Sequence, residues 1–145
     1  MSLGDVPGGY EAVDNPLYEL EDTPDLPPLR DVFGVVRSDD GALRIPTITA
    51  ELASPHGALH LGPINISLEA AISDEIESTT GSAAWQVAHW MIMMVKPGTV
   101  GPFKASATVF EAAGGRLGAE ATLIDEGNHS RTIATATALY TKVDA

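Results

Sequence analysis

The sequence predicts an α+β domain in which an antiparallel sheet of five to six strands wraps around one central helix. Two observations lead there. A single stretch, residues 63–78, repeats apolar residues at helical spacing, whereas the second half of the chain is a series of strand-like segments closed by glycine. Nothing else in the chain is available to cover the sheet's apolar face, so the sheet must wrap the helix. With 145 residues, 44% of them apolar, the chain has material for one core and the length of one domain.

The first 31 residues form a separate compositional unit. They hold eight acids, one base (Arg30) and five of the ten prolines. Prolines at that density exclude a long helix or a central strand, so an irregular arm is expected, with at most one short helix at 16–22. Such an arm serves solubility, or it covers a pocket or a neighbouring subunit. Residues 32–145 make up the folded domain.

That domain opens with strands at 32–37 and 42–52, flanking Ser38-Asp39-Asp40-Gly41, where Asp-Gly signals a hairpin. Pro46 inside the second strand calls for an edge or a bulge. The helix follows: Ile64, Leu68, Ala71, Ile72 and Ile76 share one face, and Asn65, Glu69 and Ser73 form a polar stripe beside it. Pro63 suits the first helical position and Gly81 ends the stretch. Four strands close the chain at 84–95, 103–113, 116–126 and 129–140. On the first of these, His89 alternates with Trp85, Val87 and Met91, the pattern of a buried histidine, and the methionines from Met91 to Met94 read as strand packing.

Composition excludes several functions. Eight Lys+Arg against twenty Asp+Glu give a net charge of −12, which disfavours nucleic acid and anionic membranes. No apolar run reaches the ~20 residues of a membrane span, and no basic-then-apolar leader predicts secretion. The absence of cysteine removes disulfides, thiolate zinc sites, iron–sulfur clusters and cysteine nucleophiles, and fits a cytoplasmic protein. Walker A, G-x-G-x-x-G, G-x-S-x-G and H-E-x-x-H patterns are also missing.

Chemistry concentrates in Ser54-Pro55-His56-Gly57-Ala58-Leu59-His60-Leu61-Gly62-Pro63 and the helix that follows. Free backbone N–H groups at a helix start favour negative charge and can stabilise an oxyanion. Glu69, further along that helix, is a candidate base, since burial lifts a carboxyl toward the working range of general bases. The plainer reading of Glu69 is a structural hydrogen-bond partner, and that of His60 a packed loop histidine. His56 and His60 are four residues apart but lie in a loop with no third ligand evident, so no metal site is expected. Lys96, Lys104, Arg116 and Arg131 are the cations available to an anionic nucleotide.

The segment from Phe33 to Tyr140 resembles hotdog-fold thioesterases of the phenylacetate-pathway and 4-hydroxybenzoyl-CoA type. Their Asn-Pro-x-Gly-x-x-His-Gly-Gly pattern is matched at Pro55, Gly57, His60 and Gly62, with a carboxylate, Glu69, nine residues after His60. Lys96-Pro97, Gly101-Pro102-Phe103-Lys104-Ala105, Leu123-Ile124-Asp125-Glu126-Gly127 and Thr135-Ala136-Thr137-Ala138 resemble the later strands and turns. Two positions depart: Ser54 replaces asparagine, and Leu61 replaces the first glycine after the histidine.

The resemblance implies hydrolysis of an acyl-CoA thioester by a homodimer or homotetramer with sites at the subunit interface. Glu69 is then the base or nucleophile and the Leu61 N–H the oxyanion donor. His60 and Ser54 position the loop, Ser73 assists the water, and Gly62 and Asn65 contact substrate. No metal and no redox cofactor is implied; CoA enters as part of the substrate. The alternatives are a non-catalytic acyl-CoA-binding module, which the Ser54 and Leu61 departures favour, and a hotdog hydratase or dehydratase, whose sequence patterns differ from this one.

Overall fold

The computed structural model describes residues 27–143. The arm's expected short helix at 16–22 lies outside them. The described chain starts with a one-turn helix, α1 (Leu29–Val32), so the boundary expected after residue 31 falls inside a helix. Two short strands, β1 (Val36–Arg37) and β2 (Leu43–Ile45), precede the long helix α2 (Leu61–Thr80). The meander follows as β3 (Trp85–Met94), β4 (Phe103–Ala112), β5 (Arg116–Asp125) and β6 (Arg131–Lys142). All six strands join one antiparallel sheet in the order β1-β2-β4-β5-β6-β3.

The expected strands in the first half are shorter than predicted, for visible reasons. Phe33 and Gly34 close α1, and Gly34 turns the chain with φ +74°. β2 stops at Ile45, immediately before Pro46, which has no N–H to give the ladder. The helix is longer than its apolar face suggested. It begins at Leu61, so Pro63 occupies the third helical position, where the missing N–H is still one that an α-helix leaves unpaired. Gly81 ends it in the left-handed conformation, its N–H donating to the Glu77 carbonyl.

α2 lies across the sheet with Ile64, Leu68, Ala71, Ile72 and Ile76 buried. Beneath it the sheet carries small side chains: Ala105, Ala119, Ala121, Ala134, Ala136 and Ala138 are all buried. Alanines let a helix sit close to a sheet, while Phe103, Leu117, Leu123 and Ile133 fill the ends of the core. At one end of the barrel-like wrap, the fully buried Asp125 carboxylate accepts the N–H groups of Thr99, Val100 and Gly101 at 3.0, 3.1 and 2.8 Å. Gly127 backs directly on the Gly101 carbonyl, where a Cβ has no room. These contacts join the two downstream motifs noted in the sequence. Arg44 adds a tie from β2, donating to Glu126 and Asp40 and holding the Asp40 carboxyl down at about 2, chiefly by its hydrogen bond.

His89 is the clearest departure from the expected pattern. In the β3–β6 ladder Val87 faces Tyr140 while His89 faces Leu139, so Ala88 is an extra residue. That bulge exchanges the faces of the strand, turning Trp90 toward α2 and leaving His89 exposed. The methionines are not packed as expected either: Met91, Met93 and Met94 are at least half exposed. Val87 and Met94 pair with the buried Tyr140 and Ala134, placing them on the sheet's inner face, yet they are 49% and 50% exposed. Val87 and Met94 thus leave apolar surface uncovered on the inner face of β3, whose outer edge is unpaired among the described residues.

Candidate functional site

The loop before α2 is built by its own side chains. Ser54 accepts the Ala58 N–H on Oγ at 3.3 Å, its backbone N–H donates to the Ala58 carbonyl, and Gly57 takes the positive φ that the turn requires. The Leu59 N–H then donates to the Gly98 carbonyl at 2.8 Å and the His60 N–H to Leu52, pinning the loop from both sides. His60 is the N-cap of α2, with Nδ1 accepting the Gly62 N–H at 3.4 Å. Ser54 and His60 therefore shape the loop and the helix start, and His56 is exposed at the turn.

Leu61 is the first helical residue, and its φ is negative, so its side chain causes no backbone strain. Among the described residues nothing accepts its N–H, which stands free at the positive end of the helix dipole. Its side chain is 50% exposed beside that donor. Gly62 lies under the Phe33 ring, close enough that an added Cβ would touch it.

Asn65, Glu69 and Ser73 do fall on one stripe of α2, but they differ in circumstance. Asn65 Oδ1 accepts a 2.8 Å hydrogen bond from Trp90 Nε1. Glu69, expected to be buried with its helix, is instead exposed. No group among the described residues donates to its carboxylate, which lines a cleft of about 260 Å³ with Pro28, Leu29, Arg30, Ile66, Ala70 and Ser73. α1, which sequence reasoning assigned to strand or arm, thus forms one wall of the cleft. It is held there by Arg30, whose guanidinium pairs with Asp74 at 2.9 Å; Arg37 joins the same carboxylate. Arg30, Arg37 and Arg44 are consequently committed to ion pairs.

Sequence reasoning missed Tyr140 and Trp85. Tyr140 is 4% exposed, and burial, followed by the nearby Glu69 charge, pushes its phenol up to about 12. The Ser73 hydroxyl is close by and offsets part of that shift without completing a hydrogen bond to the Tyr140 hydroxyl. An aromatic on an alternating strand carries no sequence signal of an orphaned hydroxyl.

Leu61 and Glu69 are eight residues apart on one helix, which separates them by about 12 Å along its axis at ~1.5 Å per residue. A backbone donor and a carboxylate so placed cannot address the same carbonyl group. Among the described residues no three His, Asp or Glu side chains gather as a metal site.

Comparison with solved structures places this architecture in the hotdog fold. The chain superposes on a Bacillus halodurans protein, BH2602, solved with CoA, with a TM-score of 0.66 and 21% identity over 88% of this chain and 83% of that one. The PaaI protein of the phenylacetic acid degradation operon of E. coli gives a TM-score of 0.62 and 16% identity, over 92% and 94%. A Thermus thermophilus thioesterase complexed with CoA and Zn gives 0.60 and 11%, over 72% and 79%. At these identities the likeness is one of fold. No family model matches the sequence, and neither does any curated protein. No described helix is long and apolar enough to cross a membrane.

Proposed function

We propose that this chain hydrolyses acyl-CoA thioesters in the cytoplasm, at a site completed by a second copy of itself. The observation that carries the reading is Glu69: a carboxylate with no donor partner among the described residues, lining a cleft. Structures of the same fold hold CoA, which supports a CoA thioester as the ligand.

Glu69 takes a proton from water as the water oxygen attacks the thioester carbonyl. The resulting oxyanion needs a donor, and the Leu61 N–H of the same chain is too far along the helix to serve. The Leu61 N–H of a second copy supplies it. The tetrahedral intermediate then expels the CoA thiolate, which takes the proton from Glu69, leaving free acid and CoA. Direct attack by Glu69, through an anhydride that water then cleaves, gives the same products. Ser73, one turn beyond, orients the water; His60 and Ser54 hold the loop that aims the donor. Nothing in this scheme calls on a metal or redox group.

The uncovered β3 supports the second copy. An exposed edge strand with apolar residues is a surface that natural proteins cover, and pairing there brings a second α2 toward the first. A non-catalytic acyl-CoA binder is the second reading, favoured by the Leu61 side chain standing beside the donor. Thiol release by the wild-type protein across short, branched and aromatic acyl-CoAs tests the proposal. Release on at least one substrate at a rate proportional to enzyme supports it; binding of CoA esters without release on any of them establishes the second reading.

A further inference from the structure

Behind the Glu69 cleft lies a second one of about 250 Å³, lined by Arg30, Ser73, Asp74, Ile76, Glu77, Ala83, Trp85 and Tyr140. It shares Arg30 and Ser73 with the first, so the two adjoin along α2. Two of its wall residues carry buried donors with no hydrogen-bond partner among the described residues: Trp85 Nε1 and the Tyr140 hydroxyl. They sit together. Val87 faces Tyr140 and Trp85 faces Lys142, which makes Trp85 and Tyr140 diagonal neighbours on the inner face of two paired strands, about 7–8 Å apart at the backbone. Indole N–H is a donor only, and a phenol whose pKa is pushed up to about 12 keeps its proton throughout the physiological range. Buried donors are nearly always paired in folded proteins, and these two stand together on one cleft wall where an acceptor entering the cleft would pair them.

The charges around them narrow what they recognise. Glu77 lines the same cleft and Glu69 the adjoining one, neither with a cationic partner among the described residues, while Asp74 is neutralised by Arg30 and Arg37. A second carboxylate there would meet uncompensated like charge. Resting on the thioesterase reading above, we propose that the cleft between Trp85 and Tyr140 binds the far end of an acyl group carrying an uncharged oxygen acceptor, such as a ketone, ether or amide carbonyl. The acyl chain then runs from Glu69 past Ser73, about 6 Å along the helix per four residues.

The test uses three length-matched probes on the full chain: hexanoyl, 5-oxohexanoyl and adipoyl groups joined to CoA by a non-hydrolysable thioether, with affinity measured by calorimetry. The 5-oxohexanoyl analogue is expected to bind about tenfold more tightly than hexanoyl, with adipoyl weakest. Tyr140→Phe and Trp85→Phe should each erase most of the 5-oxo preference while leaving hexanoyl affinity unchanged. Equal affinity for hexanoyl and 5-oxohexanoyl, or a preference that survives both substitutions, overturns the proposal. Hydrolysis of the matching thioesters is followed separately. A 5-oxo preference without turnover keeps this inference and rejects the catalytic reading; turnover without preference does the reverse.

Discussion

Trp90 Nε1 donates to Asn65 Oδ1 at 2.8 Å, tying the edge strand β3 to the central helix. The bond occupies a residue that the sequence placed in substrate contact, and it exists because the bulge at Ala88 turns Trp90 inward. Asn65→Ala should lower stability by about 1–3 kcal/mol, since it strands a half-buried indole N–H. In a Trp90→Phe background the same change should cost much less, a coupling that chemical denaturation of the four proteins reads directly. Full additivity would show that the bond does not contribute.

Glu69 has no hydrogen-bond donor among the described residues, so its replacement should spare the fold. Glu69→Gln is expected to retain the wild-type melting temperature and CoA-ester affinity while turnover falls roughly 10²–10⁴-fold. A folded variant with near wild-type thiol release removes Glu69 from the chemistry.

Leu61 offers its N–H with ordinary helical φ, so glycine is not needed there for geometry. The half-exposed side chain stands beside the donor, and in the proposed scheme it narrows the acyl approach. Leu61→Gly should therefore keep or raise hydrolysis and extend it to bulkier acyl groups. An inert wild type beside an active Leu61→Gly would mean that the natural protein is a binder.

Assembly is expected from the exposed face of β3. Sedimentation should show a dimer or larger particle, and charged substitutions at Val87 and Met94 should shift it toward the 15.1 kDa protomer with loss of thiol release. A wild-type protomer that remains active while monomeric contradicts the shared site.

Tyr140 makes stability fall in alkali. Its folded phenol titrates at about 12 against an ordinary value of 10.0, so between those values the unfolded chain has released a proton that the folded chain retains. Stability from this group is complete below pH 10 and is lost as pH rises toward 12, by on the order of 2–3 kcal/mol. Below pH 10 the stabilities of wild type and Tyr140→Phe should differ by a constant amount, and above it wild type should lose stability relative to Tyr140→Phe; parallel curves through that range would contradict the assignment.

What the sequence determined by itself was local. Apolar spacing from Ile64 to Ile76 identified the helix, and glycines closing each segment separated the four long strands. The glycine-bearing loop running into Pro63 and the position of Glu69 placed a helix start and a carboxylate on one element. Those signals survive because helical period, turn conformation and capping depend on neighbours within a few residues. The tertiary structure decided the rest. Whether Glu69 is buried depends on how far α2 extends over the sheet, and it leaves that stripe uncovered. One inserted residue, Ala88, exchanged His89 for Trp90 on the inner face, which no alternation count reveals. The Asp125 carboxylate reached Thr99, Val100 and Gly101, and Trp85 met Tyr140, only after strands distant in sequence were laid side by side. Burial, register and convergence are properties of surfaces brought together, and a linear pattern specifies a residue's own face but not what arrives opposite it.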